Sequence, residues 1–352
     1  YVLIDRKQIA AKDEYALFDK MYALEYGIES SSMEDLFCEW LRWKRDNTNV
    51  AGSTLRNYTY DWNKHFKNDA ITQKSMKELT AKDFTHLFRK WSKSCQMTQK
   101  AFNNATTIIN GLFAYAINEL EIVNVNPIRE IDMRQFPMMP VKAKQKVFTL
   151  GDRELILNHL KNKKEDGIDE LYSLAIQFDF HVTLRIGELM ALRWDNIQDN
   201  QIYVEYQRVR TTTMEDDGTF TSGRYENVDH IKGNTDLGYR WIPLTKAART
   251  ILKRVREINP DGEYIFMFNG KQIYNATFNE HLKSYCKDLG IRGAKDKSSH
   301  VIRFTVASVL YLKGMPLTDI QRLLVHTTLS MTLHYLRQIL PEKNTAEMME
   351  KL

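Results

Sequence analysis

The chain has 352 residues, of which 43% are hydrophobic and 27% are charged, and its formal net charge is +5 at pH 7. This composition is typical of a folded globular protein and excludes a disordered one, and the length predicts two or three domains. No apolar run approaches the roughly 18 residues of a membrane-spanning helix, so we expect no membrane partner and no secretory signal. Three widely spaced cysteines exclude a disulfide framework and a paired zinc site, and predict a cytosolic protein with reduced thiols.

The positive charge is unevenly distributed along the chain. Residues 33–146 contain 18 Lys and Arg against 12 Asp and Glu, whereas residues 147–352 contain 28 against 27. A basic surface of this kind suits a phosphate backbone, and a solvated lysine-rich face is the alternative. The charge distribution therefore indicates which segment would bind a nucleic acid. It does not decide between a surface that binds nucleic acid and a lysine-rich face that is only solvated.

The first part of the chain has the pattern of a small helical domain. Residues 1–29 mix charged and apolar side chains, which predicts a short amphipathic helix or the remnant of a linker. Residues 30–133 then alternate capping residues with apolar stripes of helical period. Ser31 or Ser32 caps the first helix, Thr80 caps the third, and a long fourth helix ends before Asn126. Four helices in this segment predict a compact all-α domain.

The second part combines helices with a few strands. Two prolines and four basic residues in 134–146 predict an interdomain linker. Residues 147–352 begin a new pattern of helices, while 201–209 and 239–244 show the alternation of strands. The fold class predicted is mainly α: a helical domain followed by a mixed α+β domain with a small antiparallel sheet. The connection formed by residues 211–231 is long for a hairpin loop.

Four side chains near the carboxyl end carry the types of group that phosphoryl transfer needs. His300 and Arg303 lie three residues apart, so on a helix both are expected to face the same way. A second helix, which Thr318 or Asp319 would cap, delivers His326 at its end, and Tyr335 follows nine residues later. Cationic groups that neutralise a phosphate beside a nucleophile favour transfer of a phosphoryl group.

This stretch resembles the signature of the tyrosine recombinases, the phage-integrase family, and so do two earlier motifs. Residues 182–194 read VTLRIGELMALRW, which matches the family's first arginine with Arg185 and an accompanying acid with Glu188. The segment IKGNTDLGYRWIPL resembles the family hairpin that carries a lysine, here Lys232. Six positions thus occur in family order over about 150 residues.

Three positions depart from the family pattern. Thr183 occupies a place where glycine is usual, Phe304 one where a second histidine is common, and Val325 one where glycine usually precedes the histidine. None of the three removes a charged or nucleophilic group. The chemistry that the family motif implies is therefore retained.

The resemblance implies a nucleophile and two phosphate ligands. Tyr335 would attack the scissile phosphate, although a phenol with an ordinary pKa of ~10 is a poor nucleophile at neutral pH. Arg185 and Arg303 would hold the non-bridging oxygens, because a guanidinium binds phosphate bidentately and stays charged.

The resemblance also implies the proton transfers. His300 and His326 would donate hydrogen bonds and assist removal of the phenolic proton, Lys232 would protonate the departing 5′-oxygen, and Glu188 would orient its basic neighbours. The product, a 3′-phosphotyrosyl bond, stores the energy of the phosphodiester. No cofactor, nucleotide or metal is therefore expected.

Double-stranded DNA at the ends of a mobile element and at its target site is the partner that the resemblance implies. Residues 30–133 would be the core DNA-binding domain and 147–352 the catalytic domain with a carboxyl-terminal tail. Polar positions in the first domain and the linker are the predicted DNA contacts. They are Arg42, Lys44, Arg45, Arg56, Asn57, Lys64, Lys67, Lys100, Asn103, Lys142 and Lys144.

The protein is expected in the bacterial cytoplasm, associated with the nucleoid. Two further expectations concern its assembly. The protein is expected to form a dimer on one site and a tetramer in synapsis, with the tail after Tyr335 docking on a neighbouring protomer. Residues 211–231 are predicted to form a small β-extension, with a disordered loop as the alternative. Because Glu215, Asp216 and Asp217 disfavour a phosphate contact, we expect the extension to contact a neighbouring subunit and to couple assembly to the position of Lys232.

Other functions remain open from the residues alone. A type IB topoisomerase would use the same chemistry, and a catalytically silent DNA-binding accessory protein would keep the fold. A helical scaffold protein would leave the set of six side chains unexplained. The separate helical domain favours the recombinase, and the full set of side chains argues against the silent protein.

Overall fold

The computed structural model describes residues 2–4, 7–9, 32–140, 147–163, 165–229 and 238–336. For Val2–Ile4, Lys7–Ile9, His334 and Tyr335, it describes the backbone alone. The described residues separate into two compact units. The helical unit contains the residues up to 140 together with 210–224, and the catalytic unit contains 147–209 and 225–336. Lys142, Lys144, Lys232 and the tail 337–352 lie outside the described residues.

The amino-terminal residues that the structure describes form two short strands, and the predicted short helix, based on residues 15–24, lies outside the described residues. Strands β1 (Val2–Ile4) and β2 (Lys7–Ile9) pair antiparallel, with Val2 opposite Ile9. Three of the paired positions, Val2, Ile4 and Ile9, are β-branched, which favours extended backbone over helix. The remaining residues of 1–29 lie outside the described part.

The described residues of the helical unit form four α-helices, and the first and third begin where the capping residues predict. The side-chain oxygens of Ser32, Thr80 and Thr98 each accept a hydrogen bond from the backbone three residues on, so the predicted caps at Ser32 and Thr80 are confirmed. The long fourth helix ends at Asn118, before Asn126 as predicted, and Glu121 beyond it adopts a left-handed conformation with φ +55°. The helices are α1 (Met33–Asn47), α2 (Gly52–His65), α3 (Ala81–Lys93) and α4 (Gln99–Asn118).

Aromatic rings fill the interior of this unit. The rings of Phe37 and Trp62 stack at 4.0 Å, Trp62 stacks on Phe66 at 4.8 Å, and Phe66 meets Trp91 edge to face at 5.1 Å. All four side chains are at least 97% buried. Such contacts stabilise a core beyond the area they bury. These four aromatic side chains are therefore core residues rather than groups that could stack on bases.

Residues 211–231 form an extended hairpin up to residue 229, as the β-extension predicts. Strands β5 (Gln207–Met214) and β6 (Phe220–Val228) form a two-stranded sheet with a turn at Glu215–Thr219. The tip, residues 210–224, belongs to the helical unit, because Met214 is 5% exposed and packs in its aromatic core. The predicted single domain 147–352 is thus interrupted at the tip.

An ion pair and a close backbone approach also hold the tip in the helical unit. The Arg45 guanidinium donates to Asp216 Oδ1 at 2.9 Å and to Asp46 at 2.6 Å. At Gly52, the first residue of α2, an added Cβ would clash with the backbone oxygen of Thr212. Arg45, predicted to contact DNA, is therefore engaged by two carboxylates of its own unit.

Replacing Met214 with alanine is expected to destabilise the helical unit by about 2 kcal/mol, since truncation of a buried methionine removes apolar contacts and leaves a cavity. Urea unfolding measures the loss. The matched control is Thr213→Ala, one residue away and exposed, which should change stability by less than about 0.5 kcal/mol. Equal stability of the Met214 variant and the wild type would show that the tip contributes nothing to this core.

The catalytic unit surrounds a central buried helix. Thr149 caps α5, its hydroxyl accepting from the backbone of Asp152 at 3.0 Å. Helix α6 is buried on almost every side, from Leu171 to Asp179. The helices are α5 (Leu150–Asn162), α6 (Gly167–Asp179), α7 (Ile186–Met190), α8 (Lys246–Ile258), α9 (Asn275–Asp288), α10 (Ser299–Leu312), α11 (Leu317–Leu324) and α12 (Leu329–Leu336).

A small antiparallel sheet completes the unit, so the predicted mainly helical fold class is confirmed. Ile202 and Val204 of the middle strand face the core, and Ile202 lies opposite buried Ile242. The strands are β3 (Ile197–Gln198), β4 (Gln201–Val204) and β7 (Arg240–Pro243), with a separate pair β8 (Met267–Phe268) and β9 (Lys271–Gln272). None of the helices in the described part has both the length and the apolar composition that crossing a membrane requires.

Candidate active site

Glu188 is the centre of the candidate site, and its position follows from the start of α7. The helix begins after Arg185, whose backbone N–H donates to Glu188 Oε2 at 2.8 Å. The Arg185 guanidinium donates to Glu188 Oε1, also at 2.8 Å, because residues three apart share a helix face. Glu188 is completely buried, whereas the Arg185 side chain is 26% exposed. The sequence-predicted pair is therefore brought together with only the arginine accessible.

Two more arginines reach the same carboxylate from distant elements. Arg240 of β7 donates to Glu188 Oε2 at 2.9 Å, and Arg303 of α10 has a nitrogen 3.7 Å from that oxygen. Burial alone would raise the pKa of Glu188, but the guanidinia of Arg240, Arg303 and Arg185 outweigh it and hold the pKa at about 2. One ionised carboxylate thus faces three cations, which leaves an excess of positive charge.

The same three arginines bind the end of α11. Arg240 Nε donates to the carbonyl of Leu323 at 3.1 Å, Arg303 Nη2 to that of Leu324, and Arg185 Nη2 to that of Val325 at 3.2 Å. The last carbonyls of a helix lack partners within the helix, so cationic donors are favourable there. Three consecutive carbonyls are each held by a different arginine.

Val325 has a left-handed backbone at this helix end, with φ +51° and ψ +51°. The N–H groups of Val325 and His326 donate back to Arg322 and Gln321, the pattern that ends many helices and usually places glycine in the left-handed position. For a β-branched residue this conformation costs roughly 1–2 kcal/mol. The family departure at Val325 therefore stores backbone strain directly before His326.

His326 is 6% exposed, and its Nδ1 lies 3.1 Å from the Thr332 hydroxyl of α12. Burial lowers the pKa of this imidazole to about 4, and the positive charges of Arg303 and Arg185 act in the same direction. The ring is therefore neutral at physiological pH. A neutral imidazole is able to accept a proton.

The titration of His326 provides a direct check of this environment. By NMR, its imidazole should titrate near pH 4 in the folded protein, and near 6.5 in urea. Because the unfolded chain takes up this proton first, the group makes folding stability fall as the pH drops from about 6.5 to about 4. A folded-state midpoint near 6.5 would contradict the buried, cation-facing position.

His300 and Arg303 both lie on α10 but occupy different environments, so the expectation that they face the same way is only partly met. His300 is exposed and its ring meets Phe304 at 4.0 Å, whereas Arg303 is 2% exposed. Three residues on a helix are 60° apart, enough to span the boundary between surface and core. Arg303 donates to the carbonyls of Thr183 and Leu324, and burial lowers its pKa to about 9.

The departure at Thr183 adds a contact rather than removing one. Its hydroxyl donates to the carbonyl of Leu323 at 3.4 Å, which also accepts from Arg240.

The helix α11 begins at Leu317 after Pro316, so neither Thr318 nor Asp319 is its cap; both lie in its first turn. Proline fixes a backbone angle suited to a helix start, which explains the earlier beginning.

The predicted nucleophile, Tyr335, is described by its backbone alone, and the predicted general acid, Lys232, is not described. The backbone of Tyr335 belongs to α12, three residues after Thr332. Lys232 lies outside the described residues. The structure thus places Arg185, Glu188, Arg303 and His326 in one cluster, with His300 on the exposed side of α10.

Asp179 is a second buried carboxyl that sequence reasoning missed. It ends α6 and is completely buried, and neither of its oxygens has a hydrogen-bond partner among the described residues. Burial raises its pKa well above the usual range; Arg303 opposes the shift and Glu188 adds to it. Burial therefore favours the neutral form of this carboxyl over the charged form.

Sequence reasoning also missed Arg240 as a site residue, although it recognised the motif that contains this arginine. The residue is the arginine of the RWIPL stretch that aligned the lysine hairpin, and this pattern was the available signal. Nothing local in the sequence joins β7 to Glu188, which lies 52 residues earlier. The contact is purely a consequence of the fold.

The predicted DNA contacts of the helical unit are mostly exposed. On α2, three of them fall on one helix face, and on α4 two more lie one turn apart, while Asn104 of α4 donates to Asp61 of α2 at 3.3 Å. Arg42 is exposed and Lys44 is half-buried, with its ammonium 5.2 Å from the Trp40 ring. The exposed residues on α2 and α4 are Arg56, Asn57, Lys64, Lys100 and Asn103, and Lys67, two residues after the end of α2, is exposed as well.

Known proteins resemble this chain in both sequence and fold. A tyrosine recombinase XerC-like protein of Caldanaerobacter subterraneus subsp. tengcongensis is 23% identical over 359 residues, spanning 97% of this chain and 88% of that protein. The tyrosine recombinase XerD of Rhizobium meliloti is 36% identical over 110 residues, which cover 30% of this chain and 34% of that one.

Among solved structures, the Tn1549 transposon integrase in complex with a circular intermediate DNA aligns with a TM-score of 0.69 at 19% identity, over 92% of this chain and 100% of that one. A lambda integrase dimer bound to a core site aligns with a TM-score of 0.58 at 16% identity, over 90% and 81%. The model of the phage integrase family matches residues 146–339, more than half of the chain. The arginine cluster around Glu188 and the neighbouring His326 agree with this family match. The chain belongs to the phage integrase family, the tyrosine recombinases.

Proposed function

We propose that this protein carries out site-specific DNA recombination, integrating or excising a mobile element through a 3′-phosphotyrosyl intermediate. The observation that carries the proposal is the cluster of Arg185, Arg303 and Arg240 around Glu188, beside His326 and on the helix end that precedes Tyr335. An excess of fixed positive charge is what a pentacoordinate phosphorus transition state needs.

Arg185 is the arginine best placed to hold the scissile phosphate. Its side chain is the most exposed of the three, and one of its nitrogens binds Glu188 while another binds Val325. Arg303 is almost fully buried and both terminal nitrogens donate to carbonyls. Arg303 therefore acts through its charge or by exchanging a carbonyl for a phosphate oxygen. Glu188 binds the cluster together, and its single negative charge does not cancel the three positive charges.

The reaction forms one bond and breaks one. The Tyr335 oxygen attacks phosphorus and forms a P–O bond, while the bond from phosphorus to the 5′-oxygen breaks. Neutral His326 or His300 takes the phenolic proton, and Lys232 gives a proton to the leaving 5′-oxygen. Attack by a new 5′-hydroxyl reverses these steps. Since the energy of the phosphodiester is retained, the exchange requires neither nucleotide hydrolysis nor a metal.

DNA recognition is assigned to both parts of the chain. Residues 30–133 with the hairpin tip 210–224 would form the core DNA-binding domain, residues 134–146 a basic linker with Lys142 and Lys144, and the rest of 147–352 the catalytic domain. The exposed basic and amide side chains of α2 and α4 support this assignment, because such groups contact phosphates and base edges.

The active assembly would be a dimer on one site and a tetramer on paired sites, formed on the bacterial nucleoid. The tail after Tyr335 contains an apolar set at Ala346, Met348, Met349 and Leu352, which suits docking on a neighbouring protomer. Deleting 341–352 should weaken pairing of sites more than binding of one site. Normal assembly of the truncated protein on paired sites would exclude this role.

The test of the proposal is a nicked suicide DNA that traps the covalent adduct. DNA segments covering the ends of candidate elements are incubated with the protein, and adducts are resolved under denaturing conditions, with EDTA present in a parallel reaction. A metal-independent 3′-phosphotyrosyl adduct supports the recombinase. DNA binding without an adduct favours the silent accessory protein, and relaxation of supercoils by a monomer without site preference favours the topoisomerase.

A further inference from the structure

Arg240 uses all three of its side-chain nitrogens in contacts with the protein. Its side chain is 9% exposed, and its donors reach three different residues. Nε donates to Leu323 at 3.1 Å, Nη1 to the carbonyl of Gly238 at 3.0 Å, and Nη2 to Glu188 at 2.9 Å. These contacts direct the guanidinium toward protein acceptors rather than toward a phosphate.

We propose that Arg240 is a positioning residue, which ties the carbonyl of Leu323 to the carboxylate of Glu188 and so fixes the backbone that presents His326 beside Arg185. The proposal rests on the proposed roles of His326 and Arg185 in cleavage. Arg240 itself does not contact DNA.

The strained backbone after Leu324 is the first argument. Left-handed Val325 costs roughly 1–2 kcal/mol, and such a conformation persists only where surrounding contacts hold it. Arg303 and Arg185 hold the carbonyls of Leu324 and Val325, but both would also face the phosphate. Arg240 is the one contact of the three that DNA binding would leave in place. It therefore anchors the helix end when the other two engage a ligand.

The charge balance at Glu188 is the second argument. The titratable groups that face Glu188 are Arg185 at the start of its own helix, Arg303 on α10, Arg240 on β7 and the buried carboxyl of Asp179 at the end of α6. Burial raises the pKa of Glu188, and Arg240 is the strongest of the influences that lower it. Without Arg240 the carboxylate would be protonated more easily, and its hold on the other two arginines would weaken.

The choice of variant follows from the surroundings of Arg240. A cavity of about 460 Å³, lined mainly by apolar side chains, borders Arg240, Thr183 and Leu323. Alanine would enlarge this cavity toward a buried charge, so a loss of activity could reflect a collapsed core. Methionine retains most of the volume and removes only the charge and the donors. Lysine retains the charge but cannot bond three acceptors with a planar fork.

The experiment compares Arg240→Met and Arg240→Lys with the control Arg254→Met, whose arginine binds Glu170 on the surface of α8. Hydrogen exchange of the amides in 322–327 should become roughly tenfold faster in the methionine variant, the scale set by the loss of a charged hydrogen bond. Single-turnover cleavage should fall on the order of 100-fold, while the affinity for a single DNA site changes little. The control should match the wild type in all three measurements.

The pH profile separates positioning from a general loss of stability. In Arg240→Met the acid limb of the cleavage rate should move to higher pH, because Glu188 loses its strongest counter-charge, whereas Arg240→Lys should keep the wild-type limb with a partial loss of rate. If hydrogen exchange in 322–327 is unchanged in Arg240→Met, the positioning role of Arg240 is refuted. If the wild type forms no covalent adduct, the proposed function is refuted, and the exchange experiment still tests the role of Arg240 in the fold. A fall in DNA affinity equal to the fall in rate would also overturn the positioning role, as evidence for a direct DNA contact.

Discussion

Tyr335→Phe is expected to abolish the covalent protein–DNA adduct while leaving the affinity for a single DNA site within about twofold. The substitution removes one oxygen atom, and without it no phosphotyrosyl bond is able to form. The loss should therefore be complete rather than partial, unlike the loss from weakening any of the cationic groups. Gel separation of the adduct on nicked suicide DNA measures the first quantity, and fluorescence anisotropy of a labelled site measures the second.

The matched control is Tyr311→Phe, which removes a phenolic oxygen from α10 in the cluster of Ala307, Ile320 and Leu324. This variant should form the adduct at the wild-type rate. Digestion of the wild-type adduct should yield one modified peptide, and mass spectrometry should locate the nucleotide on Tyr335. An adduct that persists in the phenylalanine variant, or a nucleotide mapped to another residue, would refute the assignment of the nucleophile.

Much of the candidate site was predictable, because its central pair is local in sequence. Arg185 and Glu188 lie three residues apart at the start of a helix, so backbone geometry alone brings them together. The caps at Ser32, Thr80 and Thr149 were predictable for the same reason, since each satisfies an amide three residues on. Local hydrogen-bonding rules decided these positions.

The rest depends on contacts between residues far apart in the chain. Arg240 meets Glu188 across 52 residues and Leu323 across 83, and no periodicity in the sequence encodes either contact. Asp179 follows an apolar helix and resembles a surface residue that ends it, yet tertiary packing buries it completely. Met214 sits in a Thr-rich, acidic hairpin and still enters an aromatic core. Tertiary packing, which local propensity does not contain, decided these positions.

Glu188→Gln is the second substitution with a large expected effect. Glutamine has the same shape, but it leaves the guanidinia of Arg185, Arg240 and Arg303 without their shared counter-charge. Breaking a buried ionic cluster by removing one partner costs roughly 3–5 kcal/mol, so the free energy of unfolding should fall by about that much. Cleavage should fall while DNA affinity stays the same or rises, because the added net positive charge attracts phosphate but no longer holds it in a fixed geometry.

The control for the charge change itself is Glu170→Gln, whose carboxylate binds Arg254 at the surface and whose loss should cost less than about 1 kcal/mol. The pH dependence gives the decisive comparison. The pKa of Glu188 is held at about 2, below its ordinary value, so the carboxylate stabilises the fold fully above about pH 5 and progressively less as the pH falls toward 2. The difference in stability between the wild type and Glu188→Gln should therefore shrink over that range, because the carboxyl group takes up its proton at higher pH in the unfolded wild-type chain than in the folded one. A difference that stays constant from pH 5 to pH 2 would mean that the ionised carboxylate is not what holds the three arginines together.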